Sequence, residues 1–425
     1  MSQSDECQAT QTSVYPTKRC VSGGPVVEPD AEPVLNRVIH PSTKFETAWT
    51  WSGCIIGCSY LLLLVVCAFL NTTFVLWPLT LLQWSHLLST RSCRWICRFL
   101  EDKYFAMLSG YLELVGGVKI IITGDEELQF AHHEHVLLIC NHRSEVDWIF
   151  FWNLALRLNV HDRIRVMMKS VIRYAPGVGW TMMLLRYPYV NRNWATDQDR
   201  LTKVIESYKD VDMGTWLAMF PEGTALYDKT LKKSHEFASK QGEAKWNYVL
   251  QPRVKGFELC MDKMDPDYVV DLTVAYPELM EGVRPSPVRF VRGQFPTEVH
   301  MHVQRYHRST LLKHKDRMGQ WLKDRFAEKE ERLEHFYETG AFQGEQQTSG
   351  QHASRVALLP AQQILLFVGE NYLTYFWSRR RLSVYLRAFQ VAGASIHSMD
   401  SHKIHNEKHQ DKLHTRSADE LRLFT

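Results

Sequence analysis

The chain has 425 residues, enough for one large domain or two small ones with flanking segments. Lys and Arg number 50 against 47 Asp and Glu, a formal charge of +3, and 45% of the residues are hydrophobic. This balance argues against a dedicated nucleic-acid binder, which carries a far stronger basic patch, and leaves room for local basic clusters facing anionic lipid or a phosphorylated molecule. The nine cysteines have neither a disulfide framework nor zinc-site spacing, and are expected to be reduced and packed as small hydrophobes on a cytosol-facing protein.

Residues 1–45 are polar, with Pro16, Pro25, Pro29, Pro33 and Pro41 scattered through them, a composition that predicts disorder. From Thr47 to Thr90 there is then no Asp, Glu, Lys or Arg. A membrane span needs about 20 apolar residues, so this run fits one tilted helix, or two short ones turning at Asn71–Thr73. It starts too late, and lacks the cleavage site, for a signal peptide. Lys18, Arg19, Arg37 and Lys44 precede the run, while Arg91, Arg94, Arg98 and Lys103 follow it. A single pass would strand one cluster on the wrong side, so a membrane hairpin over residues 46–100 is favoured, spanning the bilayer or dipping into one leaflet.

Past Gly116 strand-like and helix-like pieces alternate. Val118–Thr123, His135–Cys140, Trp216–Phe220 and Val269–Tyr276 are short β-branched or apolar runs bounded by polar residues, as strands are. Asp147–Leu158 and Asp197–Lys209 read as helices, and Arg317–Tyr337 as a solvated helix on the domain's edge. The alternation predicts an α/β domain over residues 101–342. Residues 343–425 form a C-terminal segment. In it, 356–377 is apolar with a stripe of Ile364, Val368, Tyr372 and Phe376 ending on Arg379–Arg381, which favours an interfacial helix over a further transmembrane span. The tail beyond Ser398 is polar.

Three constellations carry chemistry. His142 and Asp147 follow the strand His135–Cys140 inside NHRSEVDW. On one helix they would stand about 140° apart, but with His142 in the turn and a helix beginning near Ser144, Asp147 can reach back to the imidazole. A carboxylate-held histidine is a general base. The plain alternative is a capping box, Ser144 to Asp147, with His142 an ordinary turn residue. The second constellation is FPEGT, Phe220–Thr224, where Pro221 stops a strand and Gly223 lets backbone approach a ligand, with Glu222 and Thr224 at the strand's carboxyl end. The third is YVNR, whose Arg192 offers a bidentate fork to a phosphate or is simply a surface arginine. The neighbouring His132, His133 and His135 have no accompanying ligand pattern, so no metal is expected.

Taken in this order and spacing, with the proline block VLQPRVKGF around Pro252, the motifs resemble the signature of the 1-acylglycerol-3-phosphate acyltransferase family. The resemblance covers roughly Phe105 to Phe342, and HEFASKQG, DLTVAYP and EKEERLEHFYE look most like its lysocardiolipin acyltransferase branch. It implies a glycerolipid-acyltransferase-type α/β domain with a central mixed sheet flanked by helices, here with an N-terminal membrane helical hairpin. It also implies direct transfer of a fatty acyl group from acyl-CoA, as co-substrate and without a cofactor, to a lysophospholipid hydroxyl. His142 would be the base and Asp147 its orienting partner, while Arg192, Glu222, Gly223 and Thr224, with Lys169, would hold the acceptor. Many members carry Arg where this chain has Ala225, so a phosphate contact is lost there or supplied by Lys229, Lys232 or Lys233. The expected partners are acyl-CoA, a lysophospholipid and the bilayer, with no nucleic acid. The expected location is the endoplasmic reticulum membrane, catalytic domain toward the cytosol. The rivals are an inactive membrane scaffold that keeps the fold and a hydrolase using the same His-Asp pair, disfavoured because no nucleophile or metal set accompanies it.

Overall fold

The computed structural model describes residues 34–41, 50–125, 128–209, 214–312 and 317–343. Six strands form one mixed sheet: β1 (Lys119–Gly124), β2 (Val136–Cys140), β3 (Ile164–Val166), β6 (Trp216–Met219), β7 (Tyr268–Ala275) and β8 (Glu298–His307), in the order β1-β8-β7-β2-β6-β3. Strands β3, β6, β2 and β7 are mutually parallel, whereas β8 runs antiparallel to β7 with β1 parallel to it. The centre of the sheet is covered on both faces: every residue of β2 and β6 is buried, which is why these strands read as unbroken apolar runs. All four expected strands are present, to within a residue or two at each end. Two short strands, β4 (Met168–Lys169) and β5 (Tyr189–Val190), form a separate parallel pair.

The N-terminal part departs from expectation. Residues 34–41, inside the stretch expected to be disordered, hold helix α1 (Val34–Ile39), in which Val38 is fully buried. The uncharged run forms no hairpin at Asn71–Thr73. Helix α2 (Trp51–Asn71) continues through a π-helical turn, Thr72–Leu76, into α3 (Trp77–Trp84), making one 34-residue apolar helix. The reason lies in the domain beneath. Thr72 is fully buried, and its hydroxyl donates to the carbonyl of Gly177 and pairs with the Thr181 hydroxyl. A residue fixed to the domain in this way has no place in a loop, and a π turn is the usual accommodation of one extra residue in a helix. The chain reverses later, at Ser85–Ser89, and α4 (Thr90–Leu114) returns along α2, so the expected domain boundary at residue 100 falls inside a helix. A helical hairpin does exist, but its second arm is this basic, amphipathic helix.

The apolar helix is attached to the domain along its length. Gly53 and Gly57 lie so close to the backbone of Phe290–Gly293 that a Cβ at Gly57 would stand 2.2 Å from the Phe290 carbonyl oxygen. Tyr60 is buried among Tyr111, Phe290 and Phe295. Its other face, with Ile55, Leu62, Phe74, Leu81 and Trp84, is exposed.

The helix Met318–Thr339, expected to be solvated, is amphipathic instead. Trp321, Leu322, Phe326, Leu333 and Phe336 pack into the core, and Lys329, fully buried, pairs with Asp271 on β7. Lys329 also donates to the Leu272 carbonyl at 2.6 Å, so this buried charge has both an ionic and a hydrogen-bonding partner. The apolar segment 356–377 and the tail lie outside the described residues.

Candidate active site

Parallel strands deliver their following loops to one end of a sheet, where open α/β folds bind ligands. Strands β2 and β6 are parallel neighbours, so NHRSEVDW after β2 and FPEGT after β6 emerge side by side. Asn141 fixes the first loop to the next strand, its side chain donating to the Val274 carbonyl at 3.0 Å and accepting from the Val274 amide at 2.8 Å.

His142 sits in the turn, as expected, and its Nδ1 lies 3.0 Å from Asp147 Oδ2. That oxygen also accepts from the amides of Arg143 and Ser144, at 2.7 and 2.8 Å, while Oδ1 accepts from the Tyr276 hydroxyl at 2.7 Å. Asp147 is 1% exposed, and both of its oxygens are taken up by these donors. The carboxylate that takes the Ser144 amide, as one half of a capping box would, also holds the imidazole. With Nδ1 the donor to Asp147, Nε2 is left as the basic nitrogen. The ring stacks on Phe220, centroids 4.1 Å apart, and keeps 17% of its side chain exposed.

Glu222 ties the two loops together. Its Oε1 accepts the His142 amide at 2.9 Å, and the Leu226 amide donates back to the His142 carbonyl at 2.9 Å. The side chain is 3% exposed and is also drawn on by the Leu250 amide. Burial pushes this carboxyl up to about 8, against the opposing pull of the amide hydrogen bonds. Expected as an acceptor contact, Glu222 is seen here bonded to the backbone of His142.

Gly223 adopts a left-handed φ of +72°, and a Cβ there would meet Arg253 Nε at 3.1 Å. Arg253, from the proline block, is anchored by its amide to the Pro221 carbonyl at 2.8 Å. Burial first, and then the charge of Arg253, hold the Arg192 guanidinium below its ordinary value. Arg192 itself has φ +65°. The buried carboxylate of Asp197 imposes that turn, accepting from the amides on both sides, Asn191 at 2.9 Å and Asn193 at 3.1 Å. Arg253 thus stands against the FPEGT turn, with Arg192 near enough to feel its charge. Thr224 borders this turn, half-buried, and Lys169 is exposed on β4, in register with Val190 two residues before Arg192. Ala225 points into the core and Lys229, Lys232 and Lys233 are exposed on the following helix; the cation standing against the turn is Arg253.

Four residues escaped the sequence reading. Arg253 and Tyr276 stand inside quoted motif text, and Asp197 begins a recognised helix, but their roles depend on chain segments distant in sequence. Arg143 is the fourth: 1% exposed, it donates to the Tyr248 carbonyl at 3.2 Å and to the Val38 carbonyl of α1 at 2.9 Å. Among the described residues, no group of three or more His, Cys, Asp or Glu side chains could hold a metal ion.

Comparison with known proteins gives the family. The Acyltransferase family matches residues 119–257, and the Acyltransferase C-terminus family matches 289–360. Lysocardiolipin acyltransferase 1 of Danio rerio is 34% identical over 287 residues, 67% of this chain and 72% of that protein. The chain belongs to the acyltransferase family of lysocardiolipin and 1-acylglycerol-3-phosphate acyltransferases. A probable 1-acyl-sn-glycerol-3-phosphate acyltransferase 5 of Arabidopsis thaliana is 32% identical over 78% of this chain and 86% of its own length. The crystal structure of the 1-acyl-sn-glycerophosphate acyltransferase PlsC of Thermotoga maritima covers 66% of this chain and 97% of its own at 16% identity, with a TM-score of 0.36. Among acyltransferases of this family, the central mixed sheet with flanking helices is the expected architecture, and this chain has it.

Proposed function

We propose that this protein transfers a fatty acyl group from acyl-CoA to the free hydroxyl of a lysophospholipid at a membrane surface. The observation that carries the reading is His142, oriented by a fully bonded Asp147, beside the FPEGT turn against which Arg253 stands. In the proposed step, Nε2 of His142 takes the proton of the acceptor hydroxyl as its oxygen attacks the thioester carbonyl carbon. The C–S bond then breaks, the CoA sulfur leaves with the proton held on the imidazolium, and Asp147 stabilises that cation meanwhile. No acyl-enzyme is needed. The arginine pair would hold the acceptor phosphate, fixing the hydroxyl against the base.

The membrane part of the proposal follows from the apolar helix. At about 1.5 Å per residue its 34 residues reach about 51 Å, well beyond a hydrocarbon core of about 30 Å. Attached to the domain from Gly53 to Thr72, it would lie along the bilayer surface with its exposed face in one leaflet. The basic clusters before and after it then share the cytosolic side, at the endoplasmic reticulum.

Purified protein assayed against a panel of lysophospholipids and acyl-CoAs tests the activity. The expected result is CoA release that depends on the acceptor. Release without acceptor would make it a hydrolase, and no release would leave an inactive scaffold.

A further inference from the structure

Between the helices Asp228–Gln241 and Val254–Met264 the chain passes through residues 243–253, which form neither helix nor strand. Tyr248, Val249 and Leu250 are nonetheless buried there, so their main-chain groups need partners from elsewhere. Four separate parts of the chain supply them. Glu330, on the helix Met318–Thr339, collects three successive amides on one carboxylate: Asn247 on Oε1 at 2.5 Å, then Tyr248 and Val249 on Oε2 at 2.8 and 3.0 Å. The Tyr248 carbonyl accepts from Arg143 at 3.2 Å, and its ring stacks on Tyr337 with centroids 5.7 Å apart. The Leu250 amide draws on Glu222, and the Gln251 amide donates to the Ser234 hydroxyl at 3.0 Å. The Arg253 amide closes the series on the Pro221 carbonyl at 2.8 Å.

The segment is therefore anchored at both ends, by Glu330 at Asn247–Val249 and by the FPEGT turn at Arg253. Successive amides converging on one anion make a defined concavity, and an ionised acceptor holds them more strongly than a neutral one. Only Leu250, Gln251 and Pro252 separate the two anchors, and the ring of Pro252 fixes its own φ. A shift at Val249 is thus carried to Arg253, whose guanidinium stands against Gly223. Glu330 is itself on a fixed support, because the preceding residue, Lys329, pairs with Asp271 on β7. Glu330 lies inside EKEERLEHFYE, text that marks the family branch but to which the site described above gives no role.

We infer that Glu330 is a positioning residue for the transfer reaction: it holds Asn247–Val249 so that Arg253 is set against the FPEGT turn, and thereby governs affinity for the acceptor. The inference rests on the proposed function, in which Arg253 meets the acceptor phosphate. His142 keeps its own supports, Asp147 and Glu222, so the effect of Glu330 falls on binding rather than on the chemical step.

Steady-state kinetics of the full chain in detergent test this, with 1-oleoyl lysophosphatidic acid and 1-oleoyl lysophosphatidylglycerol as acceptors. Glu330→Gln presents an amide nitrogen where one oxygen took a donor, and should raise the acceptor KM by roughly tenfold, the worth of one charge-assisted contact. The acyl-CoA KM and kcat should stay close to wild type. Because Glu330 acts through Arg253, adding Glu330→Gln to Arg253→Ala should raise the acceptor KM no further. A merely structural residue would lower kcat through loss of active protein, or add the same factor in both backgrounds, and either result overturns the inference. Hydrogen–deuterium exchange of the wild-type chain reads the same link without relying on the variant's folding. Exchange at Asn247–Val249 should slow several-fold when either acceptor is added, while Glu243–Lys245 of the same segment stay unchanged. Equal exchange at Asn247–Val249 with and without acceptor would overturn the positioning role while acceptor-dependent CoA release still stood. Absence of that release in the wild type would overturn the transfer reading, and this inference with it.

Discussion

Glu222 accepts the backbone amide of His142 at 2.9 Å, so the carboxylate of one motif holds the main chain of the other. Its ordinary value is 4.5 and burial lifts it to about 8 in the folded protein. The protonated carboxyl therefore favours the folded state. This contribution is complete below about pH 4.5 and is lost as the pH rises toward 8. Glu222→Gln is neutral throughout and retains an oxygen for the His142 amide. The melting temperature of wild type relative to this variant should fall between pH 5 and pH 8, read by intrinsic fluorescence in detergent. Glu101 and Glu330 are also lifted, to about 7, but cancel in the comparison. A flat difference across that range would mean that Glu222 is ionised in the folded protein.

The base itself should be separable from its support. His142→Ala should lower turnover by about 10²–10⁴, the usual worth of general-base catalysis, with the melting temperature nearly unchanged. Asp147→Asn can turn its oxygen to the His142, Arg143 and Ser144 donors and its amide to the Tyr276 hydroxyl, so the loop should hold. It loses the charge that stabilises the imidazolium, and should slow the reaction less than His142→Ala. Equal turnover in wild type and His142→Ala, at matched expression, rules out this base.

Arg192 and Arg253 should act as a pair. Removal of either should raise the acceptor KM far more than the acyl-CoA KM, and Arg192→Lys should recover only part of the loss, because Lys lacks the planar fork. If both arginines hold one phosphate, the double variant will be less impaired than the sum of the singles. Steady-state kinetics with each substrate varied will distinguish this from a CoA-phosphate contact, for which the acyl-CoA KM would rise instead.

Arg143 connects the catalytic loop to α1 through Val38, and to the Tyr248 carbonyl beside the Tyr337 ring. Arg143→Met keeps the bulk but strands two buried carbonyls, at about 1–3 kcal/mol for each unsatisfied group. Its backbone amide still reaches Asp147, so stability should suffer more than the Michaelis constants. Thermal unfolding together with kinetics reads both, and an unchanged melting temperature would mean that α1 contributes nothing to the fold.

What the sequence by itself determined is local. The apolar runs that became β2 and β6, the turn that puts Asp147 within reach of His142, and the glycine that FPEGT needs at a left-handed φ all follow from residue type and short spacing. So does the order of the motifs, which carries the family. Tertiary structure decided the rest, because it depends on surfaces meeting from distant parts of the chain. Whether Asn71–Thr73 turns or stays helical was settled by Thr181 and Gly177, more than a hundred residues away, which bury Thr72. The charge-rich helix Met318–Thr339 reads as solvated until β7 supplies Asp271 to pair with Lys329. Arg253 stands against the FPEGT turn only because the Pro221 carbonyl after β6 takes its amide. A guanidinium's partner is set by where the backbone carries it, and that position is a property of the whole fold.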